Sequence, residues 1–140
     1  MAAPPACTQT GGVEESEARL QVFVVEDAVE VRKRLIALLR TVPGVAVVGE
    51  AESVRGAIEG VLSTAANVLL LDLQLSDGNG LDVLAELKPQ RPALRVIVLS
   101  NFSAAPYRQA SLAAGADAFF DKSQEFGRVP DILRDWLAVQ

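Results

Sequence analysis

Four short apolar runs in this chain are followed by polar residues that could do chemistry. "VFVV" leads to Glu26 and Asp27, "VLLL" to Asp72, "VIVL" to Ser100, and "AFFD" to Lys122. A carboxylate at the end of a run fit for a core needs a partner, an exit to solvent or a task, because burying it alone is costly. Three carboxylates brought close together repel, and one ammonium cannot neutralise them all. A hard divalent cation can: Mg²⁺ takes one or two carboxylates, backbone oxygens and waters, and leaves positions open for phosphate oxygens. A carboxylate is also a nucleophile toward phosphorus, and phosphoryl transfer asks mainly for positioning and neutralisation of charge. The set therefore suits Asp72 as nucleophile, Mg²⁺ among the acids, and Ser100 and Lys122 on the remaining oxygens.

That chemistry requires the fold to gather residues spread over nearly a hundred positions, and the patterning predicts how. The runs "QVFVV" (21–25), "VAVV" (45–48), "NVLLL" (67–71), "RVIVL" (95–99) and "AFF" (118–120) are apolar on consecutive positions. Strands buried on both faces read this way. Between them lie amphipathic helical patterns. The first places Val31, Leu35, Leu38 and Leu39 on one stripe before Pro43-Gly44. The second opens on Ser53 as N-cap, the third stops at Pro89, and the fourth has Pro106 near its start and Gly115 at its end. The fifth closes the chain after Pro130. Strand and helix alternate five times, which predicts right-handed crossovers and an α/β fold. The expected architecture is a doubly wound (βα)5, flavodoxin-like three-layer sandwich with parallel sheet order 2-1-3-4-5. In such a sheet function gathers outside the C-terminal strand ends at the switch point. Glu50, at the end of the edge strand, falls outside that point.

Composition narrows the classes. The chain has 140 residues, 50% of them hydrophobic and 22% charged, which suits one soluble domain. Residues 1–19 lack periodicity and are expected to form a tail, with the domain over 20–140. No apolar run reaches membrane-spanning length and no secretory signal stands at the start, so a cytoplasmic protein with no membrane contact is expected. The single cysteine, Cys7, excludes a disulfide within the chain. Histidine is absent, which removes His-based triads and His metal sites. A net charge of −5 argues against nucleic acid as a partner of this chain.

Taken singly, each candidate has a plainer explanation. Glu26-Asp27 could cap a helix, Asp72 could form a turn, Ser100 could be structural, Lys122 a solvated charge, and Phe119 simply core. Four elements ending in one complementary set weigh against that. From Leu20 to Gln140 the chain resembles the receiver domain of a two-component response regulator. The match is carried by "VVEDAVEVRKRL", "LLLDLQLSDGNGLDVL", "VIVLSN" and "AAGADAFFDKS". The resemblance implies Asp72 as phosphoacceptor, with Glu26, Asp27, Asp72 and the Gln74 carbonyl around Mg²⁺. It implies Ser100 as the hydroxyl that contacts the phosphoryl group, Lys122 as charge partner, and Phe119 as the rotating aromatic, so Ser100 and Phe119 form the switch. The sequence departs from the family's common pattern at Glu26, at Ser76 where a proline is frequent, and at Phe119 where tyrosine is frequent. Ser76 is expected to loosen its loop. Gln74 and Phe102 occupy positions where the family tunes dephosphorylation.

The resemblance further implies a histidine kinase or phosphotransfer protein as phosphodonor. Output would pass through the face made by the fourth helix, fifth strand and fifth helix, to a protein partner or a homodimer. Such a chain is a signalling switch rather than an enzyme, acting only on its own phosphoryl group. Two alternatives remain beside this: the receiver part of a longer DNA-binding transcriptional regulator, and a phosphorylation-independent pseudo-receiver. A phosphatase of the haloacid-dehalogenase type would want a second aspartate where Gln74 stands.

Overall fold

A computed structural model describes residues 19–101 and 105–138. Most of the expected tail, Cys7 and Phe102 lie outside these residues. Five strands form one parallel sheet: β1 (Leu20–Val25), β2 (Val45–Ala51), β3 (Val68–Asp72), β4 (Arg95–Ser100) and β5 (Ala118–Asp121). Their order is β2-β1-β3-β4-β5. The helices α1 (Val29–Leu39), α2 (Val54–Leu62), α3 (Gly80–Gln90), α4 (Ala105–Ala113) and α5 (Val129–Ala138) connect and cover them. This is the doubly wound, flavodoxin-like sandwich that the alternation of patterns predicts.

The consecutive apolar residues of each strand divide between two cores because successive side chains point to opposite faces. Val22, Val24, Val68, Leu70, Ile97 and Leu99 pack against Leu35, Leu39, Leu133 and Leu137 of α1 and α5. Phe23, Val25, Leu69, Leu71, Val96 and Val98 pack against Ala57 and Val61 of α2 and Val83, Leu84 and Leu87 of α3. The sheet is therefore rigid in its middle. In the central strands β1, β3 and β4 only the ends reach solvent, while edge strand β2 is half-buried or exposed from Val47 onward.

Two local features differ from the sequence expectation. A two-residue antiparallel hairpin, Gln74–Leu75 with Gly78–Asn79, follows β3. The loop there is tied rather than loosened at Ser76, whose hydroxyl donates to the Glu52 carbonyl at 3.3 Å. The next residue, Asp77, accepts from the Val54 and Arg55 amides at 2.6 and 3.3 Å and so caps α2 across space. Helix α3 also runs through Pro89 to Gln90 instead of stopping before it. A proline in the last turn removes one hydrogen bond, and the turn still closes through the Arg91 amide on the Leu87 carbonyl at 2.7 Å. Ser53 caps α2 as expected, accepting from the Gly56 amide at 3.0 Å.

Candidate functional site

The site is built at the C-terminal ends of β1, β3 and β5. Asp72 is the last residue of β3 and is flanked on one side by β1 and on the other by β4. Because β3 is buried along its whole length, the carboxylate has little freedom of position. Glycine at position 80 brings the start of α3 against this strand end. A Cβ at Gly80 would lie 2.5 Å from the Asp72 carbonyl oxygen, and the Gly80 amide donates to the Leu73 carbonyl at 2.7 Å.

Glu26, Asp27 and Asp72 each present a carboxylate oxygen within 4.8 Å of the others. Their environments differ. Glu26 is 1% exposed and Asp72 4%, whereas Asp27 is exposed at the mouth. Lys122 reaches in from beyond β5, placing Nζ 2.7 Å from Glu26 Oε1 and 3.3 Å from Asp72 Oδ2. The Ala28 amide donates to Glu26 Oε2 at 3.1 Å, and the Gln74 amide donates to Asp72 Oδ1 at 3.3 Å. A cavity of about 370 Å³ opens over these groups and is also walled by Gln74, Asn101, Arg34 and Phe126.

The electrostatics follow from this geometry. Burial pushes the Asp72 pKa up to about 6, and the neighbouring Glu26 charge adds to the rise; Lys122 and the Gln74 amide offset only part of it. For Lys122, burial works against the charged form, but pairing with Glu26 and the charge of Asp72 outweigh it and the pKa is raised. Lys122 therefore stays an ammonium while Asp72 is held back from ionising. Lys122 is the one ammonium paired with the two buried acids, Glu26 and Asp72, while Asp27 stands exposed beside them. A divalent cation fits this donor set, since it would restore the balance and accept the hard carboxylate oxygens.

Most of the residues singled out in the sequence come together here. Glu26, Asp27, Asp72, Gln74 and Lys122 line one cavity. Ser100 and Phe119 do not line it. Ser100 ends β4 and is wholly buried, with its carbonyl accepting from the Lys122 amide at 2.9 Å. Phe119 is already turned into the core at 3% exposure. The Arg108 guanidinium lies 4.9 Å from its ring centre and donates to its carbonyl at 3.2 Å.

Two residues outside the expected set also bear on the site: Arg32, and Glu50, which its place on the edge strand had set apart from the switch point. Arg32 Nη1 donates to the Glu26 carbonyl at 2.7 Å and Nε to Glu50 Oε1 at 2.8 Å. The one signal that could have found them was an acid ending the edge strand opposite a basic residue in the first turns of α1. Arg34 and Phe126 were also unanticipated. They stack at 4.6 Å beside the cavity, joining α1 to the segment after β5.

Comparison with known proteins agrees with this geometry. Residues 22–134 match the family model described as the response regulator receiver domain. The DNA-binding transcriptional activator DevR/DosR of Mycobacterium tuberculosis is 35% identical over 103 residues, which is 74% of this chain and 48% of that protein. A protein-glutamate methylesterase/protein-glutamine glutaminase of Desulfotalea psychrophila is 32% identical over 108 residues, 76% of this chain and 30% of that protein. The chain spans about half or less of the length of these relatives. The non-phosphorylated receiver domain of the stress response regulator RcsB from Escherichia coli superposes with a TM-score of 0.78 at 23% identity, covering 86% of this chain and 95% of that one. The chain belongs to the family of response regulator receiver domains.

Proposed function

We propose that this receiver takes a phosphoryl group on Asp72 in a Mg²⁺-dependent reaction, with a histidine kinase or phosphotransfer protein as donor. The observation that carries the reading is the position of Lys122, which bridges buried Glu26 and Asp72 beneath an open, acid-lined cavity. An Asp72 carboxylate oxygen attacks phosphorus as the bond from phosphorus to the donor's imidazole nitrogen breaks, and the imidazole leaves to be protonated. Asp27, Asp72, Glu26 and the Gln74 carbonyl are the groups that would hold Mg²⁺, whose charge would neutralise the phosphoryl oxygens and favour ionised Asp72. Lys122 supplies the remaining positive charge. Ser100 is buried in the state described and would reach the phosphoryl group only after the end of β4 shifts. That shift would bias the face made by α4, β5 and α5, where Phe119 and Arg108 meet.

We further assign this face to a protein partner or a second copy, and the chain to the cytoplasm, as a switch that acts only on its own phosphoryl group. No helix among the described residues is long and apolar enough to cross a membrane. A second reading has its own support: the chain matches only half of a DNA-binding activator, so it also suits the receiver part of a longer regulator of that kind. The domain would then be residues 20–140, preceded by a segment of 19.

The test is intact mass after incubation with Mg²⁺ and acetyl phosphate. A gain of one phosphoryl group, lost in Asp72→Asn and with EDTA, is expected. Wild-type labelling in Asp72→Asn would reject the assignment of the acceptor. No gain in any condition, with Mg²⁺ bound, would leave a donor-specific receiver or a phosphorylation-independent module.

A further inference from the structure

The peptide at Glu26 is held at four points. Its carboxylate meets Lys122 and the Ala28 amide. Its amide donates to the Ala51 carbonyl at 3.0 Å, and its carbonyl accepts from Arg32 at 2.7 Å. Arg32 is in turn fixed by Glu50, which precedes Ala51 on the edge strand. The end of β2 thus grips this peptide twice, once through its backbone and once through an ion pair. The connection from β2 to α2 is itself tied to the hairpin after Asp72 by Ser76 and Asp77. The edge strand therefore spans the two halves of the site, one bearing Glu26 and Asp27 and the other bearing Asp72 and Gln74.

We propose that Arg32 and Glu50 are positioning residues for Mg²⁺, setting the turn that carries Glu26 and Asp27 against Asp72. The proposal rests on the metal-dependent receiver reading above. Mg²⁺ demands near-octahedral geometry, so a turn that drifts by a fraction of an ångström weakens the site without unfolding the protein. A guanidinium suits the task because its planar fork serves a carbonyl and a carboxylate at once, which an ammonium on a flexible stem does poorly. The plainer explanation is a stabilising surface pair. Arg32 has only 15% of its side chain exposed, so its loss costs packing as well as charge, whereas Glu50 has half its side chain exposed (53%) and its loss costs stability little. Metal affinity and stability therefore separate the two explanations.

The test is calorimetric titration of Mg²⁺ into the full chain and into Arg32→Gln, Arg32→Lys, Glu50→Gln and the double variant Arg32→Gln/Glu50→Gln, with thermal melts of the metal-free proteins. Loss of an outer partner of a metal ligand weakens affinity by about 10- to 100-fold. Arg32→Gln is expected at the low end of that range, about tenfold, and Glu50→Gln weakens binding in the same direction by less. The double variant should be no worse than Arg32→Gln, because the two residues act in series. Arg32→Lys should fall between wild type and Arg32→Gln, and raised Mg²⁺ should restore phosphorylation by acetyl phosphate. Wild-type affinity in both Arg32→Gln and Glu50→Gln would overturn the proposal while leaving the receiver reading intact. A wild-type chain that binds no Mg²⁺ would overturn the metal reading and this proposal with it. If Arg32→Gln does not fold, half-exposed Glu50→Gln decides alone.

Discussion

At the scale of single residues, the chemistry of the site is set by how unequally its acids are buried. Asp72 and Glu26 lie under the surface and Asp27 at the mouth, so water screens the three charges unequally. With its pKa raised to about 6 from 3.8, Asp72 binds its proton more tightly in the folded than in the unfolded chain. Its contribution to stability is therefore fully present below about pH 4 and is lost as pH rises through about 6. A shift of this size corresponds to about 3 kcal/mol. In metal-free buffer, Asp72→Asn should be more stable than wild type at pH 7.5 by up to about that amount. The gap should close toward pH 4. Urea denaturation across this range checks it, and a variant less stable than wild type at pH 7.5 would contradict the origin given for the raised pKa.

At the scale of elements, each functional side chain is aimed by a strand end and checked by a helix start. The junction of β3 with α3 is the tightest, since the backbone of Asp72 and Leu73 occupies the space a Cβ at Gly80 would need. Gly80→Ala should cost about 1–3 kcal/mol through overpacking against backbone that cannot move aside. It should also slow labelling of Asp72 by acetyl phosphate, because any relief displaces the strand end that carries the carboxylate. Wild-type stability and labelling together would show that the junction tolerates a methyl group. Helix α4 contrasts with this. Only Ser111 of its residues is buried, while Tyr107 and Leu112 are 43% and 45% exposed. An element so lightly packed can shift at small cost, which suits the output face proposed above.

At the scale of the whole molecule, two cores clamp the sheet from both sides and leave the strand ends and the α4 surface to change. Exposed Tyr107 and Leu112 stand on the same helix as Arg108, which covers Phe119. Proposed output through this face predicts a change in association on phosphorylation. Light scattering should give the 14.9 kDa monomer without donor and a dimer with Mg²⁺ and acetyl phosphate. Tyr107→Glu should remain monomeric in both conditions while still gaining the phosphoryl mass. A dimer that forms equally in Asp72→Asn would place association outside the control of the site.

The sequence by itself determined the fold class, the strand order and the identity of the cavity's main groups. Apolar runs read on both faces demand a covered parallel sheet, and alternation with helices leaves few ways to wind it. Glu26, Asp27, Asp72 and Lys122 were legible because each ends or follows such a run. Tertiary structure alone decided which acid is buried, that Lys122 bridges Glu26 and Asp72, and that Ser100 and Phe119 sit off the cavity wall. It also decided that Ser76 ties its loop and that Arg32 joins Glu50 to the Glu26 peptide. These are contacts between residues distant in sequence, set by register and helix rotation, and periodicity carries no information about them. The edge strand, set apart at first for lying away from the switch point, touches the site because its last residues pair with β1 where the acids begin.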